Sequence, residues 1–378
     1  MILEYKNKQS IEEILNKYYN NKYDIIKEGK NGNKLIFGEN FDALMLLLNE
    51  FELKGKIDLI YIDPPFSTNN IFKIGDRSNT ISSSLDDDVA YEDTLKNEDF
   101  LEFIRERLVL LHELLSDTGS IYFHIDYKVG HYIKIIMDEI FGLDNFRGDI
   151  SRIKCNPKNF KRKGYGNIKD MILFYSKSKN YKWNYPTVPF NEKDIERLYK
   201  KVDEDGRRYT TVPIHAPGET KDGVTGSEWR GMLPPKGRHW RCSPEELDKL
   251  DAEGLIEWST NGNPRKKNYA DEMSKKGKPM QDIWEDYKDP SKPLYPTEKN
   301  IDMVKKIITS SSDIGDIVLD CFAGSGTTII AANELGRKWI GIDKSKKAIE
   351  IIENRLKNVP VNLYNNKDYE IMHLIIDE

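Results

Sequence analysis

The clearest hydrophobic pattern in the chain is the run Ile57-Asp58-Leu59-Ile60-Tyr61-Ile62, β-branched and aromatic with little alternation. Such a run predicts a strand buried on both faces, as in a parallel sheet. It stops at Asp63-Pro64-Pro65-Phe66. Each proline fixes its own φ, and Pro65 also biases Pro64 toward extended backbone, so the turn is stiff. It presents the Asp63 carboxylate, the Pro64 carbonyl and the Phe66 ring at the carboxyl end of a strand, where open α/β sheets bind ligands.

The flanking pattern supports that placement. Ile11, Ile14, Leu15 and Tyr18 predict a short amphipathic helix over 10–20, and Leu35-Ile36-Phe37 predicts a strand. Asn40 is placed to cap a helix Asp42–Glu50. Residues 67–99 are polar, with the acidic run Asp86-Asp87-Asp88, and read as a long loop over the Asp-Pro-Pro-Phe turn, a candidate lid. Phe100–Leu115 carries one apolar stripe and predicts a helix. Ile121–Asp126 predicts a second buried strand ending in an acid, and Val129–Phe141 a helix closed by Gly142. Asp149–Lys154 and Met171–Lys177 predict two more strands around a basic loop. The alternation of strand and helix predicts the parallel α/β class.

From Trp183 to about Pro290 periodicity weakens, while Trp, Tyr, Arg, Gly and Pro become frequent. This predicts an inserted module at 184–290 between a first part, 1–183, and a closing part, 291–378. Within it, Ser243 and Glu246 mark the start of a short helix. After Pro296 the α/β texture returns. Helix Ile301–Ser310, strand Ile317–Asp320, helix Ile329–Leu335, strand Trp339–Asp343 and helix Lys347–Leu356 are expected, and the last dozen residues are left unassigned.

Charge changes the picture of the middle. The chain of 378 residues has a net charge of −5, yet residues 151–290 hold 29 Lys and Arg against 22 acids. Within 151–182 ten basic residues face one acid. A basic stretch on an acidic protein is the footprint of a polyanion-binding face. Cys155, Cys242 and Cys321 are odd in number and widely spaced, which predicts a reducing, cytoplasmic setting rather than disulfides or a zinc site. Met1–Lys6 lacks the layout of a signal peptide, no run reaches the length of a membrane span, and no metal site is predicted.

A second chemical unit lies at Asp320-Cys321-Phe322-Ala323-Gly324-Ser325-Gly326-Thr327. A strand ending in an acid, a turn with two glycines, a helix start and a second strand ending in Asp343, 23 residues on, predict a nucleoside-cofactor site. The third glycine of a dinucleotide fingerprint and the lysine of a P-loop are both absent.

Asp63-Pro64-Pro65-Phe66 and Phe322-Ala323-Gly324-Ser325-Gly326 together resemble the two signature motifs of the S-adenosylmethionine-dependent DNA amino-methyltransferases, the N6-adenine and N4-cytosine enzymes. Their order, catalytic motif first, then a target-recognition region, then the cofactor motif, resembles the β group, which includes type III modification subunits. Tyr295-Pro296-Thr297-Glu298-Lys299 resembles that family's Pro-Thr-Gln-Lys-Pro element, with Asn300 in place of the final proline.

The resemblance implies a Rossmann-like, seven-stranded methyltransferase sheet in permuted motif order with an inserted target-recognition region. It implies that Asp63, Pro64, Pro65 and Phe66 carry catalysis. Asp320, Phe322, Ala323, Gly324, Gly326 and Thr327 would line S-adenosylmethionine, with Thr297 and Lys299 near its carboxylate, Asp343 on its ribose and Glu39 toward its adenine. The expected reaction is methylation of the N6 amine of a flipped-out adenine in double-stranded DNA. Arg152, Lys154, Lys158, Lys161, Arg162 and Lys163 are expected on phosphates. Arg230, Arg238, Trp240 and Arg241 are expected to read bases. A restriction subunit and a homodimer are expected partners. N4-cytosine methylation, transfer to RNA or protein, an NAD-type oxidoreductase and a catalytically silent DNA-binding subunit remain the alternatives.

Overall fold

The structure is a computed structural model describing residues 2–64, 71–74, 88–92, 97–157, 161, 163–220, 223–291, 293, 298–360 and 367–375, with backbone alone at 71–74, 88–92 and 97. It divides into two compact units, 1–184 with 281–378, and 185–280.

The first unit is built on a ten-stranded sheet. Its strands in chain order are β1 (Tyr23–Lys27), β2 (Lys34–Phe37), β3 (Ile57–Ile62), β4 (Leu115–Ile125), β5 (Phe146–Ile153), β6 (Lys169–Ser176), β7 (Ile283–Trp284), β8 (Ile317–Asp320), β9 (Lys338–Asp343) and β10 (Glu370–Leu374). They lie in the order β1-β10-β2-β9-β8-β3-β4-β6-β5-β7. The seven from β2 to β5 form a mostly parallel sheet in which β6 alone runs against both neighbours. Outside these seven, β10 and β1 extend one edge and β7 extends the other.

Among the described residues, seven α-helices accompany this sheet: α1 (Ile11–Leu15), α2 (Asn40–Asn49), α3 (Asn97–Leu114), α4 (Gly130–Phe141), α5 (Ile301–Ser311), α6 (Thr327–Glu334) and α7 (Lys346–Asn358). Side chains of α2, α3 and α4 share one apolar core with Ile60 and Ile62 of β3, Phe123 and Ile125 of β4, Leu173 of β6 and Ile342 of β9. The alternate residues of those strands face the opposite layer, where α5 packs on α6 and α6 on α7. Tyr122 of β4 reaches that layer through a 2.8 Å bond to Ser311. Burial on both sides explains why the strands read as continuous apolar runs.

Several elements differ from the pattern-based reading. The first helix is confined to Ile11–Leu15, where Ser10 and Glu13 form a capping box. Asn40 does not cap α2: it sits inside the first turn, buried, and its side chain serves other partners. Within the stretch expected as a lid, Ile71–Ile74 pairs antiparallel with Asp88–Glu92, and the remainder of 67–96 lies outside the described residues. Gly142 closes α4 at φ 85°, where glycine carries no Cβ penalty.

The second unit holds a four-stranded antiparallel sheet, Lys201–Val202, Arg208–Pro213, Pro264–Tyr269 and Ile256–Trp258 in that order. Ile214, Trp229, Trp240, Leu247 and Ile256 form its small core, with Trp229 stacked on Trp258 at 5.5 Å. Ser243 caps the helix Pro244–Ala252 as expected, accepting from the Glu246 amide. The unit ends at Met280, ten residues before the expected boundary, because Ile283–Trp284 joins the main sheet beside β5.

Candidate active site at the carboxyl edge of the sheet

Parallel pairing brings four strand ends together. Asp343 lies opposite Phe37, Gly341 opposite Asp320, and Leu319 opposite Ile60, so Glu39, Asp343, Asp320 and Asp63 follow one another along a single edge. The Gly38 amide donates to the Asp343 carbonyl at 3.0 Å, which fixes the first of these junctions.

At the glycine turn, Gly324 and Gly326 have φ of 51° and 76°. A Cβ on Gly326 would stand 2.6 Å from Ile352 Cγ1, so both conformation and space require glycine there. Asp343 closes the turn from the next strand. Its carboxylate accepts from the Gly324 amide at 2.7 Å and from the Ser345 amide at 2.8 Å. Phe322 packs edge-on against Phe103 of α3 at 6.1 Å, and the Ala323 amide donates to Ile342 at 3.0 Å. Thr327 is buried at the start of α6, its hydroxyl 3.1 Å from that of Ser325.

Asp320 is buried beneath this turn and accepts from the Phe322 amide at 3.0 Å. Burial, with smaller contributions from the Asp63 and Asp343 charges, pushes its pKa from 3.8 to about 7. A raised carboxyl pKa means that the folded state binds the proton more tightly. Its stabilising effect is complete below the ordinary carboxylate pKa and lost as pH rises through about 7. Asp320→Asn, which cannot ionise, is therefore expected to raise the melting temperature relative to the parent at pH 8 and to lose that advantage at pH 4. Thermal melts of both proteins across that range measure it, and an equal shift at both ends would rule the ionisation out as the cause.

Glu39 is half-exposed at the head of α2, and Arg107 of α3 holds it at 2.8 Å. The same guanidinium donates to Asn40 at 2.8 Å, and Asn40 donates to the Cys321 carbonyl at 3.1 Å. Arg107 thus ties the end of β2 to the glycine turn. A buried arginine on an otherwise apolar helical stripe gave no sequence signal of that role.

Asp63 stands where β3 ends. One carboxylate oxygen pairs with Lys299, which is itself buried. The other, Oδ1, is buried and has no hydrogen-bond partner among the described residues. Leaving a carboxylate acceptor dry and unpaired is costly unless something else is to donate to it. Lys299 is set by Asn300, whose side chain caps α5 by accepting from the Asp302 and Met303 amides at 2.9 and 3.1 Å. A proline could not make that cap, which accounts for the asparagine in the Lys299-Asn300 element. Pro64 is buried beside Asp63, while Pro65, Phe66 and Thr297 lie outside the described residues.

Behind Asp63, a polar row crosses the sheet. His124 of β4 is fully buried, with Nδ1 3.8 Å from Asp63 Oδ1 and 2.9 Å from the Tyr61 hydroxyl. Its Nε2 is 3.4 Å from Asp170 of β6. Asp170 in turn meets Lys154 at 2.7 Å. None of Tyr61, His124 and Asp170 was singled out from sequence; the one visible signal is a histidine inside the apolar run Ile121–Ile125.

The expected nucleic-acid residues fall into different settings. Arg152 is 0% exposed; it pairs with Asp289 and donates to the Tyr287 carbonyl at 2.9 Å, so it is an internal strut and not a phosphate contact. Trp240 is buried in the core of the second unit, its indole N–H on the Ser227 carbonyl at 2.8 Å, and cannot stack on a base without unpacking that core. Arg230 is engaged by Asp248 and Asp251. Arg238 and Arg241 are exposed, as are Lys161 and Lys163 between β5 and β6, where Tyr165 is 99% exposed. Lys154 is largely covered through Asp170, and Lys158 and Arg162 lie outside the described residues.

An open α/β sheet with a glycine turn and an Asp-Pro turn side by side on its carboxyl edge defines a nucleoside-type binding protein of the Rossmann-like kind. The sequence profile of a family described as "DNA methylase", the N6/N4 methyltransferases, matches residues 57–354. The chain belongs to this family of DNA amino-methyltransferases. It is 42% identical over 342 residues to the type II methyltransferase M.EcaI of Enterobacter cloacae, covering 88% of this chain and 72% of that protein. It is 30% identical to the type II methyltransferase M.KpnI of Klebsiella pneumoniae, covering 73% and 71%. The StyLTI Mod subunit of a type III restriction-modification enzyme from Salmonella typhimurium is 28% identical, and the match covers 82% of this chain and about half, 52%, of that subunit. Among solved structures, the M1.HpyAVI–SAM complex is similar with a TM-score of 0.42 and 20% identity, covering 85% of this chain and 99% of that one. S-adenosylmethionine is the methyl donor of this family, and DNA its substrate.

Proposed function

We propose that the chain methylates the N6 amine of an adenine turned out of duplex DNA. The observation that carries this reading is Asp63 Oδ1, a buried carboxylate acceptor without a hydrogen-bond partner among the described residues, at the edge where the glycine turn also lies. An exocyclic amine is a poor nucleophile because its lone pair is delocalised into the ring. Accepting both of its N–H bonds, at Asp63 Oδ1 and at the Pro64 carbonyl, pulls the nitrogen toward a tetrahedral arrangement and stabilises the positive charge that develops there. Lys299 keeps the opposite carboxylate oxygen occupied and so aims Oδ1 at the base.

The residues present fit the donor. Positive φ at Gly324 and Gly326 turns the chain tightly at the end of β8 with no side chain at either position, and Asp343 stands at the strand end where an acid meets ribose. Asp320, Phe322, Ala323, Gly324, Gly326 and Thr327 would surround the methionine part, and Glu39 would lie toward the adenine. When bound, S-adenosylmethionine supplies a methyl group on a sulfonium, whose carbon–sulfur bond breaks with its electrons retained by sulfur. The protein's part is to hold the amine in line with that bond and to accept its surplus proton at Asp63 or pass it to water.

A stacked base cannot enter such a pocket, so the target must leave the helix, and Phe66 would stack on it. The exposed Lys161 and Lys163 beside β5 suit phosphates, and Arg238 and Arg241 of the second unit, read as target recognition, suit base edges. Asp63, where cytosine enzymes of the family more often carry serine, favours adenine. A restriction subunit and a second copy of the chain are the partners this reading suggests, in a reducing cytoplasm. Nucleoside mass spectrometry of unmethylated bacterial DNA after incubation with protein and donor is expected to yield N6-methyldeoxyadenosine. Recovery of N4-methyldeoxycytidine alone would overturn the adenine assignment and leave the family intact.

A further inference from the structure

We propose that His124, held as its Nε2–H tautomer by Asp170 and Tyr61, is a positioning residue that keeps the Asp63 Oδ1 lone pair clear for the amine of the target base. The proposal rests on the reading of Asp63 as the amine acceptor and adds the device that keeps it open.

The row is set by strand register. Ile62 pairs with Phe123, His124 with Ile172, and Arg152 with Asp170. Asp63, His124 and Asp170 therefore lie side by side at one end of the sheet, on the face away from the core shared with α2, α3 and α4. Among the described residues, the charged and titratable groups facing His124 are Asp63 and Tyr61 from β3, Asp170 from β6 and Lys299 ahead of α5, with Arg152 and Lys154 of the β5 end behind Asp170.

The proton assignment follows from charge. Burial opposes ionisation of Asp170, but hydrogen bonds from His124 and Lys154 outweigh it and hold the carboxyl well below its ordinary pKa. A carboxylate 3.4 Å from Nε2 requires a proton on that nitrogen. Burial pushes the His124 pKa down, so the ring carries one proton and Nδ1 is left as an acceptor. The Tyr61 hydroxyl, 2.9 Å away, fills that acceptor; its own pKa is driven far up by burial and the nearby Asp63 charge, so it remains a donor. With the Nδ1 lone pair taken by Tyr61, the ring offers no proton to Asp63 Oδ1, 3.8 Å away. With the opposite tautomer, Nδ1–H would donate to the Tyr61 hydroxyl, whose own proton, no longer taken by the ring, would turn toward the Asp63 charge that acts on it and compete with the substrate amine. The buried row thus holds an empty acceptor in place by denying it an internal donor.

Two measurements test this. Long-range proton–nitrogen correlation spectra of the full chain with ¹⁵N-labelled histidine, assigned by loss of one ring in His124→Gln, are expected to show His124 neutral with the proton on Nε2. Asp170→Asn presents an amide N–H to Nε2 and is expected to move the proton to Nδ1. Its single-turnover methyl transfer should then fall by about tenfold or more, the cost of one misdirected bond at a charged group, with donor affinity unchanged. A cationic ring or an Nδ1–H tautomer in the parent protein at neutral pH overturns the proposal, and so does a shifted tautomer with an unchanged rate. If Asp170→Asn does not fold, the parent spectrum alone decides. If Asp63→Ala transfers methyl groups at the parent rate, the acceptor reading fails, whereas the tautomer stays measurable.

Discussion

Replacing Asp63 by alanine is expected to leave S-adenosylmethionine affinity unchanged and to slow single-turnover methyl transfer by about 10²–10³-fold, the scale set by removing one preorganised partner of a developing charge. The argument is geometric. Asp63 lies one strand away from the glycine turn, so the contacts proposed for the donor at Asp320, Gly326 and Asp343 are expected to survive the substitution. What disappears is the acceptor oxygen. Asparagine is not a rescue here. Lys299 occupies one side of the carboxylate, so an amide would turn its oxygen toward the ammonium and its NH2 toward the base, presenting a donor to a donor. Asp63→Asn is therefore expected to be nearly as slow as Asp63→Ala. Equilibrium dialysis with labelled donor and rapid-quench transfer to duplex DNA separate binding from chemistry, and an Asp63→Asn enzyme at parent speed would mean that the Lys299 contact does not aim this group.

Gly326→Val is expected to abolish donor binding while the protein still folds. The φ of 76° costs an L-residue about 1–2 kcal/mol. The added Cβ would also lie 2.6 Å from Ile352, a buried side chain of α7 that cannot swing clear. Relief requires the turn to shift, and with it the Gly324 amide that Asp343 fixes. Calorimetric titration with S-adenosylmethionine, beside a circular-dichroism melt, measures both consequences. Retained affinity in the folded variant would place the donor elsewhere.

Much of this edge was legible in the sequence because of how parallel strands are buried. Ile57–Ile62, Ile317–Asp320 and Trp339–Asp343 are covered on both faces, so each appears as an apolar run that ends at an acid on the carboxyl edge of the sheet. The edge strands were not legible. Tyr23–Lys27 has mixed polarity, and its partner Glu370–Leu374 lies some 350 residues away, a pairing that no local pattern carries. Charge counting misplaced Arg152, because a run of basic residues does not reveal which one is swallowed by Asp289. Trp240 was misread for a similar reason. Aromatic residues among arginines resemble a base-reading surface, whereas here they supply the apolar volume of a small unit. Asn40 followed the capping statistics until tertiary partners at Arg107 and Cys321 claimed its side chain. The His124–Asp170 contact depends on register between β4 and β6, which only the assembled sheet supplies.

The most direct test of the whole account is a crystal structure with S-adenosylhomocysteine bound. The thioether sulfur is expected to face Asp63 Oδ1 across a gap that the transferred methyl and one amino group fill, with the ribose on Asp343 and the glycine turn beneath the methionine part. A ligand seated away from the glycine turn, or an Asp63 carboxylate turned out of line with the sulfur, would contradict it.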